Sequence, residues 1–244
     1  MTPPLKLHPQ LSKPPKKSKS PEKSPKKLER ALVEEAVVSL NKLSEISEAP
    51  IWTRPKLIVR EYFRVFGHEN KARNGKLFEL AISTNLIAGG VPNNKLQANI
   101  QIKPANAFAL SRYGRSRGWE IDIFRAPTEY RPAVVVGCKI SGRERIKQDY
   151  ALAYYISMTW GHMELFNGQK PKLYIIDRQE HQGREEDLDA ARKWNEGTHF
   201  WLTLGDTPVS LITVLDDDAM KTFFEDCGVD CSRHFNGARL ELHG

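Results

Sequence analysis

Apolar residues recur at helical spacing from Leu28 to Ser47, through Leu28, Leu32, Val33, Ala36, Val37, Leu40 and Leu43, which predicts an amphipathic helix. Pro50 and Pro55 bracket a break. A shorter amphipathic helix follows over Lys56 to Phe66, and the polar run His68 to Gly75 reads as a turn. The next helix is predicted over Lys76 to Ala88, stopped by Gly89 and Gly90, with Glu79 in its first turn. The period then changes from helical to alternating. Leu96, Ala98, Ile100 and Ile102 alternate with polar residues and are expected on one face of a half-buried strand. Trp119 to Phe124 alternates likewise, whereas Ala133 to Cys138 is almost continuously apolar, as in a strand covered on both faces. A long helical segment is predicted from Arg143 to Phe166, closed by Asn167 and Gly168, and then a buried strand over Lys172 to Ile176. A charged helix over Glu185 to Asn195, strands near Phe200 to Leu204 and Val209 to Val214, and a helix over Asp216 to Asp226 complete the chain. From residue 76 to 176 the order is helix, strand, strand, strand, helix, strand. That order predicts an α/β fold, a central mixed β-sheet flanked by helices on both faces.

Charge changes this picture only at the N-terminus. Residues 1–27 hold eight of the 37 lysines and arginines but one of the 30 acids, so the other 217 residues balance at 29 of each. The same segment has seven of the 15 prolines and no aromatic residue. It cannot bury enough apolar surface to offset its ordering entropy, and it is expected to be a disordered basic tail. Its lysines suit loose phosphate contacts, and equally a solubilising or localisation role. Residues 28–244 are expected to form a single domain with its core over about residues 70–177. No apolar run approaches the roughly 18 residues that span a bilayer, and the N-terminus lacks the apolar stretch of a signal peptide. An intracellular protein, cytoplasmic if prokaryotic, with no membrane partner, is expected. Three cysteines do not make a disulfide framework and fit a reducing compartment. Cys227, Cys231 and His234 have spacing that a metal could use, but a structural zinc needs four ligands and His243 is a weak fourth. Ordinary thiols are the favoured reading.

The strand Trp119 to Phe124 carries two acids, Glu120 and Asp122, expected on one face with Ile121 and Ile123 on the other. Seventeen residues beyond Asp122, Lys139 ends the apolar strand. A lysine at the edge of a buried strand must pair with an acid, reach solvent or serve a purpose. Two carboxylates repel, and a nearby cation relieves them. Phosphodiester cleavage needs a divalent cation to polarise the phosphate and ready a water, and oxygen ligands suit magnesium. A lysine beside it can orient that water and offset charge in the transition state. Asp122, Lys139 and Glu79 supply such parts. A cross-strand ion pair accounts for Asp122 and Lys139 as well, and a helix dipole accounts for Glu79.

The residues around Lys139 carry more information. The segments Gly118-Trp119-Glu120-Ile121-Asp122 and Cys138-Lys139-Ile140-Ser141-Gly142-Arg143-Glu144-Arg145-Ile146-Lys147-Gln148, with a helix bearing Glu79, resemble the PD-(D/E)XK nuclease superfamily and, more narrowly, its type II restriction endonucleases. In several of these enzymes the catalytic lysine is followed by Ser or Thr, then Arg-Glu-Arg, then Gln. The resemblance covers roughly residues 70 to 177. It implies a restriction-endonuclease-like core and a site-specific endonuclease acting on double-stranded DNA. Mg2+ is the implied cofactor, and a homodimer the implied assembly, because cutting both strands needs two sites. It implies that Asp122 is the main metal ligand, with Glu79 and Glu120 as further carboxylates, and that Lys139 orients water and stabilises charge. Arg143, Arg145 and Gln148 would touch phosphate or support the site. Arg112, Arg115 and Arg117, interleaved with Tyr113, either grip DNA or form a solvated loop.

One departure stands out. The family usually has an acid two residues before its lysine, though some of its restriction enzymes lack it or draw a carboxylate from elsewhere, and this chain has Gly137 there. Glu120, Glu79 or Glu144 could compensate. A catalytically degenerate DNA-binding member of the fold, and a DNA repair or transposition nuclease, are the alternatives. Asp216, Asp217 and Asp218 read as cap and dipole residues, and His162 as structural.

Overall fold

The computed structural model describes residues 25–67, 71–102, 119–139, 152, 155–156, 159–178 and 209–234. The chain begins with α1 (Pro25–Leu40), the single turn α2 (Ser44–Ser47), α3 (Arg54–Phe66) and α4 (Lys71–Ala88). Strands β1 (Leu96–Ile102), β2 (Trp119–Arg125), β3 (Val134–Lys139), β4 (Lys172–Asp177) and β5 (Val209–Thr213) follow, and then α5 (Asp217–Cys227). The strands form one sheet in the order β1-β2-β3-β4-β5. β1, β2 and β3 are antiparallel neighbours, and β3, β4 and β5 run parallel. The sheet is mixed and flanked by helices, as the change of hydrophobic period predicts.

Two apolar clusters cover its two faces. On one, Val33 and Val37 of α1, Ile58 and Phe63 of α3, Leu77, Phe78, Ala81 and Ile82 of α4, and Phe223 and Phe224 of α5 meet Ile123, Val134, Val136, Tyr174 and Ile176. On the other, the helical residues Leu152 and Ile156, with Phe166, meet Ile102, Ile121, Phe124, Ala133, Val135 and Leu173. β3 therefore alternates between two buried surfaces, which is why its sequence is apolar throughout.

Four boundaries differ from the sequence pattern. The first predicted helix splits into α1 and α2, because Lys42 and Leu43 donate three residues back, to Ser39 and Leu40, and tighten the chain. The segment expected to be helical as far as Phe166 instead passes after Thr159 into 3-10 turns at Trp160–His162 and Glu164–Phe166. Thr159 Oγ1 donates to the Tyr155 carbonyl at 2.6 Å, a back-bond that competes with helix continuation. Asn167, left-handed at φ 49°, closes that segment as expected.

α4 begins at Lys71 rather than Lys76, so the polar run before Gly75 is partly helix. Its end is as predicted: Gly90 takes φ 99°, and Val91 N–H returns to the Leu86 carbonyl at 3.0 Å.

The fourth difference lies in β1. Leu96 packs with the α4-side cluster, whereas Ile100 and Ile102 join the opposite one, and Ala98 is exposed. Asn99 between them is left-handed, φ 57°, which breaks the two-residue period. Ile123 and Ile121 of β2 divide between the same two clusters. The pairs Ala98↔Ile123 and Ile100↔Ile121 place Asn99 across from Asp122. The sheet thus changes face at the position of the candidate acid.

Of the predicted tail over residues 1–27, residues 1–24 lie outside the described residues and residues 25–27 belong instead to α1; the predicted helix 185–195 and strand 200–204 also lie outside the described residues. Among the described residues, no helix is long and apolar enough to cross a membrane.

Candidate active site

The β2–β3 ladder pairs Arg125↔Val134 through Ile123↔Val136, and among the described residues no pair continues beyond it although both strands do. Where the ladder stops, Asp122 Oδ2 accepts the Cys138 backbone N–H at 2.7 Å. The carboxylate takes the place of a main-chain acceptor at the opening between two strands. Lys139 is the next residue and the last of β3, with its backbone in register with Asp177 of β4. The topology therefore brings Asp122 and Lys139 to one end of the sheet, at the carboxyl ends of the parallel strands β3 and β4, where open α/β sheets bind ligands.

Glu79 is the ninth residue of α4, not a first-turn residue, so the helix dipole does not account for it. Its side chain is 14% exposed, and Lys76 Nζ lies 2.5 Å from its Oε2. Burial pushes the Glu79 carboxyl above the usual range. Lys76 opposes that shift, and the charges of Asp122 and Glu120 add to it. Asp122 and Glu120 are thus close enough for their charges to act on Glu79. Glu120 is reached by Asn99: with its amide oriented to satisfy both ends, Asn99 Nδ2 donates to Glu120 Oε1 at 2.7 Å and Asn99 Oδ1 accepts from Lys76 Nζ at 3.1 Å.

No protein-family model matches the sequence, and no curated protein does. Among solved structures the chain is similar to the type IIP restriction endonuclease Kpn2I, with 14% identity over 81% of this chain and 70% of that one and a TM-score of 0.41.

Lys76 and Asn99 are members of the site that the sequence pattern does not single out. Lys76 carries a visible signal, since a lysine three residues before a glutamate on one helix forms an ion pair. Asn99 carries almost none, because its place depends on a left-handed residue inside a strand.

The other sequence candidates separate cleanly. Arg112, Arg115, Arg117, Arg143, Arg145 and Gln148 lie outside the described residues, as does His243. Asp216 caps α5, accepting from Ala219 N at 3.0 Å, and Asp217 pairs with Lys56 at 2.6 Å, as cap and first-turn acids do. His162 is exposed. Cys227 and Cys231 are buried, and burial raises both thiols, Cys231 to about 11, which disfavours the thiolate a metal requires. Among the described residues, no group of three or more His, Cys, Asp or Glu is arranged to hold a metal ion. Asp122, Glu79 and Glu120 offer oxygen donors, the ligand type that a hard divalent cation takes.

Proposed function

We propose that the chain is a magnesium-dependent endonuclease of the type II restriction kind, hydrolysing phosphodiesters in double-stranded DNA as a homodimer. The observation that carries this reading is the Asp122 carboxylate tied to the N–H of Cys138, one residue before Lys139, where β2 and β3 part. Asp122, Glu79 and Glu120 are the residues that would hold the cation. When bound, it polarises the phosphate and lowers the pKa of an attacking water. Cys138 N–H fixes one Asp122 oxygen and so sets the direction of the carboxylate. In this reading Lys139 offsets the charge that grows on the phosphate oxygens in the transition state and orients the attacking water. Arg143, Arg145 and Gln148 follow it in sequence and are proposed to grip the phosphate backbone, as are Arg112, Arg115 and Arg117.

A second reading, a DNA-binding protein that does not cut, is favoured by Gly137 in place of an acid. Purified protein and closed circular plasmid, with and without Mg2+, separate the two. Discrete fragments that require Mg2+ support the endonuclease. A mobility shift with the plasmid left intact supports the binding protein, and nicks or cuts confined to branched junctions point to a repair or transposition nuclease.

A further inference from the structure

Asp177 ends β4 as Lys139 ends β3, and the parallel β3–β4 ladder pairs the two in register. At 5% exposure Asp177 is the one acid buried among the described residues. An aspartate is seldom buried so far unless it is paired. The alternation of the strands shows which face of the sheet it shares. On β3, Val134, Val136 and Cys138 belong to the cluster on the α4 side and Val135 to the opposite one. On β4, Tyr174 and Ile176 belong to the α4 side and Leu173 to the opposite one. Carried to the strand ends, the same period assigns Gly137 and Lys139 to the Val135 face and Asp177 to the Leu173 face, which is one face of the sheet. Lys139 and Asp177 are therefore same-face neighbours on strands that lie about 4.8 Å apart.

Arg178 is the chain neighbour of Asp177, but it falls on the α4 side, where its guanidinium lies over the Phe63 ring of α3 at 3.7 Å from the centroid. Thr213, the register partner on β5, carries no charge. Of the two residues paired with Asp177 across the sheet, Lys139 is the cation. A lysine ammonium rides on a flexible four-carbon stem. The residue one period before Lys139 is Gly137, which has no side chain with which to steady it. We propose that Asp177 is a positioning residue of the cutting site, its carboxylate anchoring the Lys139 ammonium at the carboxyl ends of the parallel strands. An anchored ammonium is in place before the phosphate arrives, so its ordering is met on folding and not in the transition state. The inference deepens the endonuclease reading and rests on Lys139 acting in cleavage.

The test is a double-mutant cycle on the full chain, reading plasmid cleavage in Mg2+ and urea stability for wild type, Asp177→Asn, Lys139→Met and the pair. Asp177→Asn is expected to lower kcat about 10²-fold, the scale for a misplaced group, with KM unchanged. In the Lys139→Met background it should slow cleavage no further, because residues that act as a unit are not additive. Stability should change little, since both residues end their strands and a shortened side chain at 139 opens Asp177 to water. Asp177→Glu, which keeps the charge, should lose less activity than Asp177→Asn, and it carries the cycle if Asp177→Asn does not fold. A merely structural acid lowers urea stability and leaves kcat of the folded protein unchanged, or slows Lys139→Met by the same factor as wild type. Either result overturns the proposal. So does an effect of Asp177→Asn that vanishes in an Arg178→Met background but persists in Lys139→Met, which assigns Asp177 to Arg178. Wild-type cleavage without coupling overturns the inference alone, whereas plasmid left intact by wild type overturns the endonuclease reading and the inference with it.

Discussion

The two ends of the sheet handle charge in opposite ways. At the end where β2 finishes, Arg125 is 2% exposed and donates to the carbonyls of Ala126 at 2.9 Å, Pro132 at 2.6 Å and Asp226 at 3.0 Å. Arg131 reaches the Glu225 carbonyl at 3.3 Å, so two cations meet the C-terminal carbonyls of α5, where the helix dipole is negative. Asp226 itself holds Lys172 at 2.6 Å and the Tyr174 hydroxyl at 2.5 Å. Positive groups here are matched to acceptors supplied by the backbone and one acid. At the other end, Glu79 holds Lys76, which reaches Glu120 through Asn99, and burial raises the Glu79 carboxyl, with the charges of Asp122 and Glu120 adding to it. The first arrangement locks elements together. The second gathers carboxylates of α4 and β2 about a lysine and an amide.

Substitutions at the two ends should therefore separate activity from stability. The largest effect on activity is expected at Lys139: Lys139→Ala should slow cleavage by about 10³-fold, the scale for removing a group that stabilises developing charge, with little change in urea stability. An equal loss of both would erase the distinction between the ends. The largest effect on stability is expected at Arg125. Arg125→Met strands three carbonyls and should cost about 3 kcal/mol by urea denaturation, while Mn2+ affinity at a temperature where the protein remains folded stays the same. A change in Mn2+ affinity would mean that the ends are coupled. A smaller effect concerns ligand linkage. Mg2+ at ten times its dissociation constant should stabilise wild type by about 1.4 kcal/mol, raising its melting temperature, and should leave the Asp122→Asn variant unmoved. The smallest effect is at Cys231, whose thiol is buried and raised to about 11. It should resist alkylation at pH 8 until urea unfolds the chain, and rapid reaction in the folded state would contradict its packing.

Much of this was legible in the sequence where periodicity and burial agree. β3 and β4 announce themselves because both of their faces are buried, and α5 because its acidic start is a true cap. The misread positions share a cause. The run before Gly75 is polar and predicts a turn, yet the helix passes through it, since an isolated glycine costs a helix only about 1 kcal/mol and the stripe Leu77, Phe78, Ala81 and Ile82 holds α4 down. That shift moves Glu79 from a helix end to a helix middle and changes what explains it. Strict alternation likewise assigns Ile121 and Ile123 to one face, whereas the left-handed Asn99 opposite Asp122 turns the strand pair over. Asp122 and Lys139 were legible as chemistry. The bond from Cys138 N–H to Asp122 was not, because it depends on where the β2–β3 ladder stops, which no residue pattern encodes.

The central claim is that the acidic end of the sheet is a cutting site. Asp122→Asn tests it most directly, because asparagine keeps an oxygen for the Cys138 N–H while losing the charge. Closed circular plasmid in Mg2+ should be cut to discrete fragments by the wild type and remain intact with Asp122→Asn, at matched urea stability of the two proteins. Cleavage by Asp122→Asn at a rate near that of the wild type would contradict the account.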